Sequence, residues 1–148
     1  MVNIPKEVLD ILNRQDSIKV LASADEKGVP NAVFVASITP INDDALAFAE
    51  QFIIHTKHNL EKTGKATVTV LNQWMVSASG QVLPVTAYQL KGTFLGFQTS
   101  GPLFDNFSKR VAEMRVRGVN LPPLKSVGTI RVDEVFAASP GSNSQKIA

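Results

Sequence analysis

Residues 18–50 read IKVLASADEKGVPNAVFVASITPINDDALAFAE. Three apolar-rich runs, at 18–24, 31–39 and 45–50, are separated only by short polar breaks. The first break, Asp25-Glu26-Lys27-Gly28, ends in a glycine free to take the positive φ of a tight turn. The second, Pro40-Ile41-Asn42-Asp43-Asp44, collects residues that favour turns. Runs of this length joined this tightly read as strands of an antiparallel meander.

The rest of the chain extends that pattern. KATVTVL at 65–71 alternates cleanly, VTAYQLKGTFLGF at 85–97 reads as a long strand with Gly92 and Gly96 at bend or bulge positions, and 127–137 supplies a last strand. Residues 72–84 form a loop or hairpin between two of these strands. Helices lie at the margins. Residues 4–12 are amphipathic, with Pro5 in the first turn and Val8, Leu9 and Leu12 on one face. Ser100-Gly101-Pro102 opens a second helix in which Leu103, Phe107, Val111 and Met114 recur at helical spacing, until Gly118 and Pro122-Pro123 stop it. The last ten residues, 139–148, read as a polar tail. Six strands joined mostly by hairpins imply a mainly β fold with flanking helices, built as a closed or nearly closed antiparallel barrel. The strands do not alternate with full helices, which argues against a doubly wound parallel sheet.

At 148 residues the chain has the length of one domain, 1–148, with a sizeable core. Its 44% hydrophobic and 19% charged residues are those of a globular protein, and no apolar run approaches the roughly 20 residues of a membrane span. No basic-then-apolar leader opens the chain, and cysteine is absent, which removes disulfides and thiolate chemistry together. These features imply a cytoplasmic protein without a membrane partner. The formal charge of +2 is too small an excess to point to nucleic acid. Lys109, Arg110, Arg115 and Arg117, followed by Lys125, read as a solvated helix face, because no aromatic platform is interleaved with them.

Chemistry concentrates at 52–66, FIIHTKHNLEKTGKA, which contains both histidines of the chain, His55 and His58. Zinc needs at least three protein ligands, HTKH lacks the spacing and glutamate of an HExxH site, and Lys57 would repel a cation; no metal is implied. No serine sits in a G-x-S-x-G setting, and no histidine–aspartate partnership stands out. A helix over 57–63, N-capped by Thr56 and stopped by Gly64, would present free N–H groups and a positive dipole end to an anion. Thr56 adds a hydroxyl, Lys57 a charge and His55 a ring that donates when protonated. A capped helix with a basic first turn accounts for the same residues equally well.

The order of these stretches resembles the pyridoxamine 5'-phosphate oxidase-like flavoproteins, a split β-barrel family, and in particular its small single-domain FMN-binding members. The matching segments are Val20-Leu21-Ala22-Ser23 with Lys27-Gly28-Val29-Pro30-Asn31, His55-Thr56-Lys57-His58-Asn59-Leu60 before Ala66-Thr67-Val68-Thr69-Val70, Tyr88-Gln89-Leu90-Lys91-Gly92-Thr93, and Val132-Asp133-Glu134-Val135-Phe136 with Ser139-Pro140-Gly141. The resemblance implies a six-stranded antiparallel split β-barrel with Greek-key character that binds FMN in a groove of a homodimer. It places the phosphate near His55, Thr56 and Lys57, and the isoalloxazine along Val33, Phe34, Val35 and Ala36 with Gln51 and Phe52 nearby. Asn72 and Trp74 become flavin or cross-dimer contacts, Trp74 equally an interface anchor. It implies an FMN-dependent oxidoreductase with a small-molecule redox donor or acceptor, or else a non-catalytic flavin or electron carrier, with deazaflavin and haem as alternative ligands. No catalytic side chain is singled out. The oxidase proper carries Ser-Arg-Lys where this chain has Thr-Lys-His, and an Arg-rich, Trp-containing C-terminal region where it has SPGSNSQKIA. Pyridoxamine phosphate oxidase activity is therefore not expected.

Overall fold

Alternation in KATVTVL puts Ala66, Val68 and Val70 on one side of the chain, and these three are the residues the fold buries. A computed structural model describes residues 2–148, so Met1 of the expected 1–148 domain lies outside the described residues. The elements follow in the order α1 (Lys6–Leu12), β1 (Ile18–Ala24), β2 (Pro30–Phe34), β3 (Thr39–Pro40), β4 (Ala45–Ala49), α2 (Ile54–Thr63), β5 (Lys65–Leu71), β6 (Ala87–Gln98), α3 (Pro102–Val116) and β7 (Val127–Ala137). The strands form one antiparallel sheet in the order β2-β1-β5-β6-β7-β4-β3. The fold is mainly β, a split barrel with flanking helices.

Seven strands are present where six were expected. The run at 31–39 cannot remain one strand, because its two ends pair with β1 and β4, which lie toward opposite edges of the sheet. It therefore breaks after Phe34, and residues 35–38 cross from one edge to the other. The crossing is pinned by three bonds: Val35 N–H to the Lys19 carbonyl (3.1 Å), the Ala49 N–H to Ser37 Oγ (2.9 Å), and Lys19 Nζ to the Ile38 carbonyl (2.8 Å). Covalent chain, rather than a strand ladder, bridges the split.

The interior is filled by Leu21, Ile38, Leu46, Phe48, Leu60, Val68, Leu90 and Ile130, with α1 contributing Val8, Ile11 and Leu12. Leu9, expected on that face, is only partly buried, and Pro5 precedes the first helical residue instead of lying in the first turn. On the other side of β4, Ala47 and Ala49 pack with Phe107 of α3 and Val127 of β7. Met114, also expected in that stripe, is exposed. Both glycines of β6 mark register shifts against β7. At Gly92 a Cβ would collide with the Arg131 carbonyl, and at Gly128 with the ring of Phe48 directly across the ladder.

The tail does not hang free. Beyond a turn in which Asn143 and Ser144 take positive φ, it folds back on β7: Val135 N–H donates to the Ala148 carbonyl, Ile147 N–H to the Val135 carbonyl and Ala137 N–H to the Gln145 carbonyl. Its polar composition hid Ile147 and Ala148, which pack against the core. Among the described residues no helix is long and apolar enough to cross a membrane.

Candidate functional site

Strand β2 turns Asn31 and Val33 to the half-buried side, facing the start of α2. Opposite them the chain leaves β4 at Glu50 and reverses within three residues to enter α2. The two segments enclose a pocket of about 170 Å³ lined by Asn31, Val33, Phe52, Ile53, Ile54, His55 and Thr56. Four of the residues singled out in the sequence, Val33, Phe52, His55 and Thr56, thus meet in one place. His55 is the only titratable side chain in that lining.

The helix starts earlier than its sequence indicates. Ile53, buried at 5% exposure, occupies the N-cap and its carbonyl accepts the Lys57 N–H at 2.8 Å. Burying Ile53 in the core fixes where the first turn must begin, so Thr56 is not the cap but lies inside that turn. It is fully buried, and its hydroxyl accepts a 3.0 Å bond from Asn31 Nδ2. The N–H groups of Ile54, His55 and Thr56 precede the first intrahelical bond and have no partner within the helix. The residues that carry them all line the pocket.

Lys57 points elsewhere. Its ammonium lies 3.2 Å from both carboxylate oxygens of Glu50 and 5.3 Å from the centre of the Phe97 ring. Glu50 is buried and also accepts a 2.6 Å bond from Ser126 Oγ. Burial alone would raise the Glu50 pKa, but the Ser126 hydroxyl and the Lys57 ammonium outweigh it and hold the carboxyl below its ordinary range. Next along α2, His58 Nε2 lies 2.8 Å from Glu26 Oε1, tying the helix to the β1–β2 turn. Asn59 Nδ2 donates to Ser23 Oγ at 3.0 Å and Leu60 is core. Helix α2 is therefore fastened to β1 on one side and to β4 on the other, with the pocket at its first turn.

The remaining sequence-derived positions are dispersed. Val35 is buried, while Phe34 and Ala36 are exposed. Gln51 Nε2 donates to the Pro122 carbonyl at 2.9 Å, anchoring the segment after α3. Asn72 closes the neck of a hairpin over 72–86: its N–H donates to the Thr86 carbonyl and its Oδ1 accepts the Thr86 N–H. Trp74 lies on that hairpin with Met75, Val76 and Val82, all exposed. None of Gln51, Asn72 and Trp74 lines the pocket.

Family comparison fits this geometry. The sequence matches the pyridoxamine 5'-phosphate oxidase family over residues 4–137, which takes in every strand, all three helices and the pocket. The chain belongs to that family. Solved structures agree on the fold. HupZ of Group A Streptococcus is 23% identical, with 98% of this chain and 99% of that one covered at a TM-score of 0.71. An FMN-binding protein from Syntrophomonas wolfei is 19% identical over 90% and 88%, at a TM-score of 0.70. HutZ, the haem storage protein from Vibrio cholerae, is 13% identical over 92% and 95%, at a TM-score of 0.63. No curated protein matches the sequence.

Within this family member, sequence reasoning missed Asn31, Glu50 and Ser126 as parts of the site and its support. Asn31 shares the alternating face of Val33, a signal that was available. Glu50 follows five buried residues, Ala45–Ala49, and a carboxylate at the end of so apolar a strand requires a partner. That the partner is Lys57 depends on the reversal at 51–53, which no local pattern encodes.

Proposed function

We propose that the protein is a homodimeric FMN-binding flavoprotein acting as an oxidoreductase on small-molecule donors or acceptors. The observation that carries this reading is the pocket between β2 and the first turn of α2. It brings Asn31, His55 and the residues of the helix start, whose N–H groups have no partner within the helix, together with apolar Val33, Phe52 and Ile54. Such a donor set suits an anionic tail, and the apolar wall suits a ring attached to it. Its volume, about 170 Å³, falls short of the roughly 300 Å³ at the lower end of small-molecule sites. One chain therefore offers part of a site, and a second copy closing over the exposed Phe52 and Ile54 completes it.

In this assignment His55 and the N–H groups of Ile54–Thr56 hold the phosphate, with Asn31 fixing the Thr56 hydroxyl. Val33 and Phe52 flank the ring. The pairing of Lys57 with Glu50 keeps its charge out of the pocket lining. Bound FMN supplies hydride or single-electron transfer, and the chain contributes anchoring, an apolar slot and one proton-handling group, His55. The reading does not extend to pyridoxamine phosphate oxidation, since no arginine stands in residues 52–63.

The test is titration of the purified protein with FMN, riboflavin, a deazaflavin and haem, followed by absorbance. FMN should bind with a perturbed flavin spectrum and more tightly than riboflavin, and sedimentation should give a dimer. Absence of any flavin binding refutes the proposal. A Soret band with haem and no response to FMN would replace it with a haem-binding role, of which the haem storage protein HutZ is the structural parallel. Anaerobic reduction of bound flavin by NADH or NADPH then separates an enzyme from a carrier.

A further inference from the structure

Phe52 has φ of 58°, in the left-handed region that a bulky side chain rarely occupies. Among the described residues only two other non-glycine residues have positive φ, Asn143 and Ser144, both short and polar. The neighbours of Phe52 impose its backbone. Glu50 is held through its N–H to the Ser126 carbonyl (2.8 Å) and its carboxylate to Ser126 Oγ, Gln51 is tied to Pro122, and Ile53 is locked in the core. Those constraints explain the conformation but not the residue, for glycine would adopt it without strain. Nor does packing within the chain explain the ring, which is 73% exposed. Backbone strain of this kind clusters at ligand-binding sites, and here it carries an outward aromatic side chain at a pocket rim.

We propose that Phe52 is the stacking platform for the planar ring of the ligand in this pocket, and so the residue that selects ring-bearing phosphates over simple ones. The inference rests on the flavin reading above. The pocket encloses too little volume for a fused ring system, so the ring lies at the rim, where Phe52 and Ile54 are the exposed apolar surfaces. Phosphate contacts at the first turn of α2 would hold any phosphate; an aromatic face adds affinity only for a ligand with a π-system.

The experiment uses the full chain with Phe52→Gly, Phe52→Leu and Phe52→Trp, titrated with FMN, riboflavin and inorganic phosphate. Thermal unfolding is recorded without ligand, and dimer content by sedimentation. Phe52→Gly should melt at a higher temperature than the native chain, yet bind FMN and riboflavin about tenfold more weakly, by the same factor for both. Phe52→Trp should keep flavin affinity and Phe52→Leu should lose it, while phosphate binding stays level throughout. Unchanged flavin affinity in Phe52→Gly overturns the assignment, as does equal binding by the Leu and Trp variants. A loss that only tracks dissociation of the dimer overturns it as well, making Phe52 an interface anchor. If the native chain binds no flavin, the functional reading itself fails; if it does and Phe52→Gly binds equally well, only the role of Phe52 falls.

Discussion

Replacing Lys19 by methionine should stabilise this protein at neutral pH. Lys19 shares the inward face of β1 with Leu21 and Ser23 and is 5% exposed. Among the described residues its ammonium makes one hydrogen bond, to the Ile38 carbonyl, and no ion pair; the charge that acts on it is the like charge of Arg110. Burial first, and Arg110 second, push its pKa from the ordinary 10.5 down to about 8. At about 1.4 kcal/mol per pH unit, that drop corresponds to about 3 kcal/mol of destabilisation while the group is charged. Methionine has similar length and no charge, but leaves the Ile38 carbonyl without its donor, which returns about 1–2 kcal/mol. The net gain is about 1–2 kcal/mol at about pH 7. The sign of the pH dependence follows from the depressed pKa. Between about 8 and 10.5 the unfolded chain binds the proton that the folded chain has released, so native stability rises with pH through that window. Methionine removes this rise. Urea unfolding of both proteins at about pH 7 and about pH 10 measures it, and other groups titrating there, such as Tyr88, cancel in the difference. A Lys19→Met protein less stable than the native chain at neutral pH, or a difference independent of pH, would refute the reasoning.

Other outcomes are expected from the same geometry. Gly128→Ala drives a Cβ into the Phe48 ring and should cost about 1–3 kcal/mol in urea unfolding, part of which Phe48→Leu in the same chain restores; a neutral substitution would mean the strands do not approach this closely. Glu50→Gln should lower stability above pH 4.5, where the native carboxylate is ionised in both states. The depressed pKa of Glu50 means its contribution fades as pH falls through the folded value, so the two proteins should converge in acid. Lys57→Ala should destabilise the chain by leaving Glu50 buried without its partner, yet leave the FMN-to-riboflavin affinity ratio unchanged. A tenfold fall in that ratio would show that Lys57 leaves Glu50 to hold the phosphate.

Much of the architecture is written in local pattern. Strict alternation at 65–71, turn residues at 25–28, glycines at 92 and 96 and the proline pair at 122–123 each act through their own backbone, so the strands, hairpins and stops are legible one at a time. The segment 52–66 likewise stands out through its two histidines and its helix start, and residues 52–56 of it line the pocket. Long-range pairing is not legible in that way. The run at 31–39 divides because β1 and β4 lie toward opposite edges, a fact about the whole sheet and not about those nine residues. Thr56 moves from cap to buried first turn because Ile53 has a place in the core. Lys57 turns to Glu50 because a carboxylate buried at the end of β4 cannot remain unpaired. The sequence by itself determined most of the strands and helices and singled out the segment 52–66, whose first turn lines the pocket. Only the tertiary structure decided which of its polar groups face the pocket and which are spent on holding α2 in place, since that depends on burial and charge pairing between residues far apart in the chain.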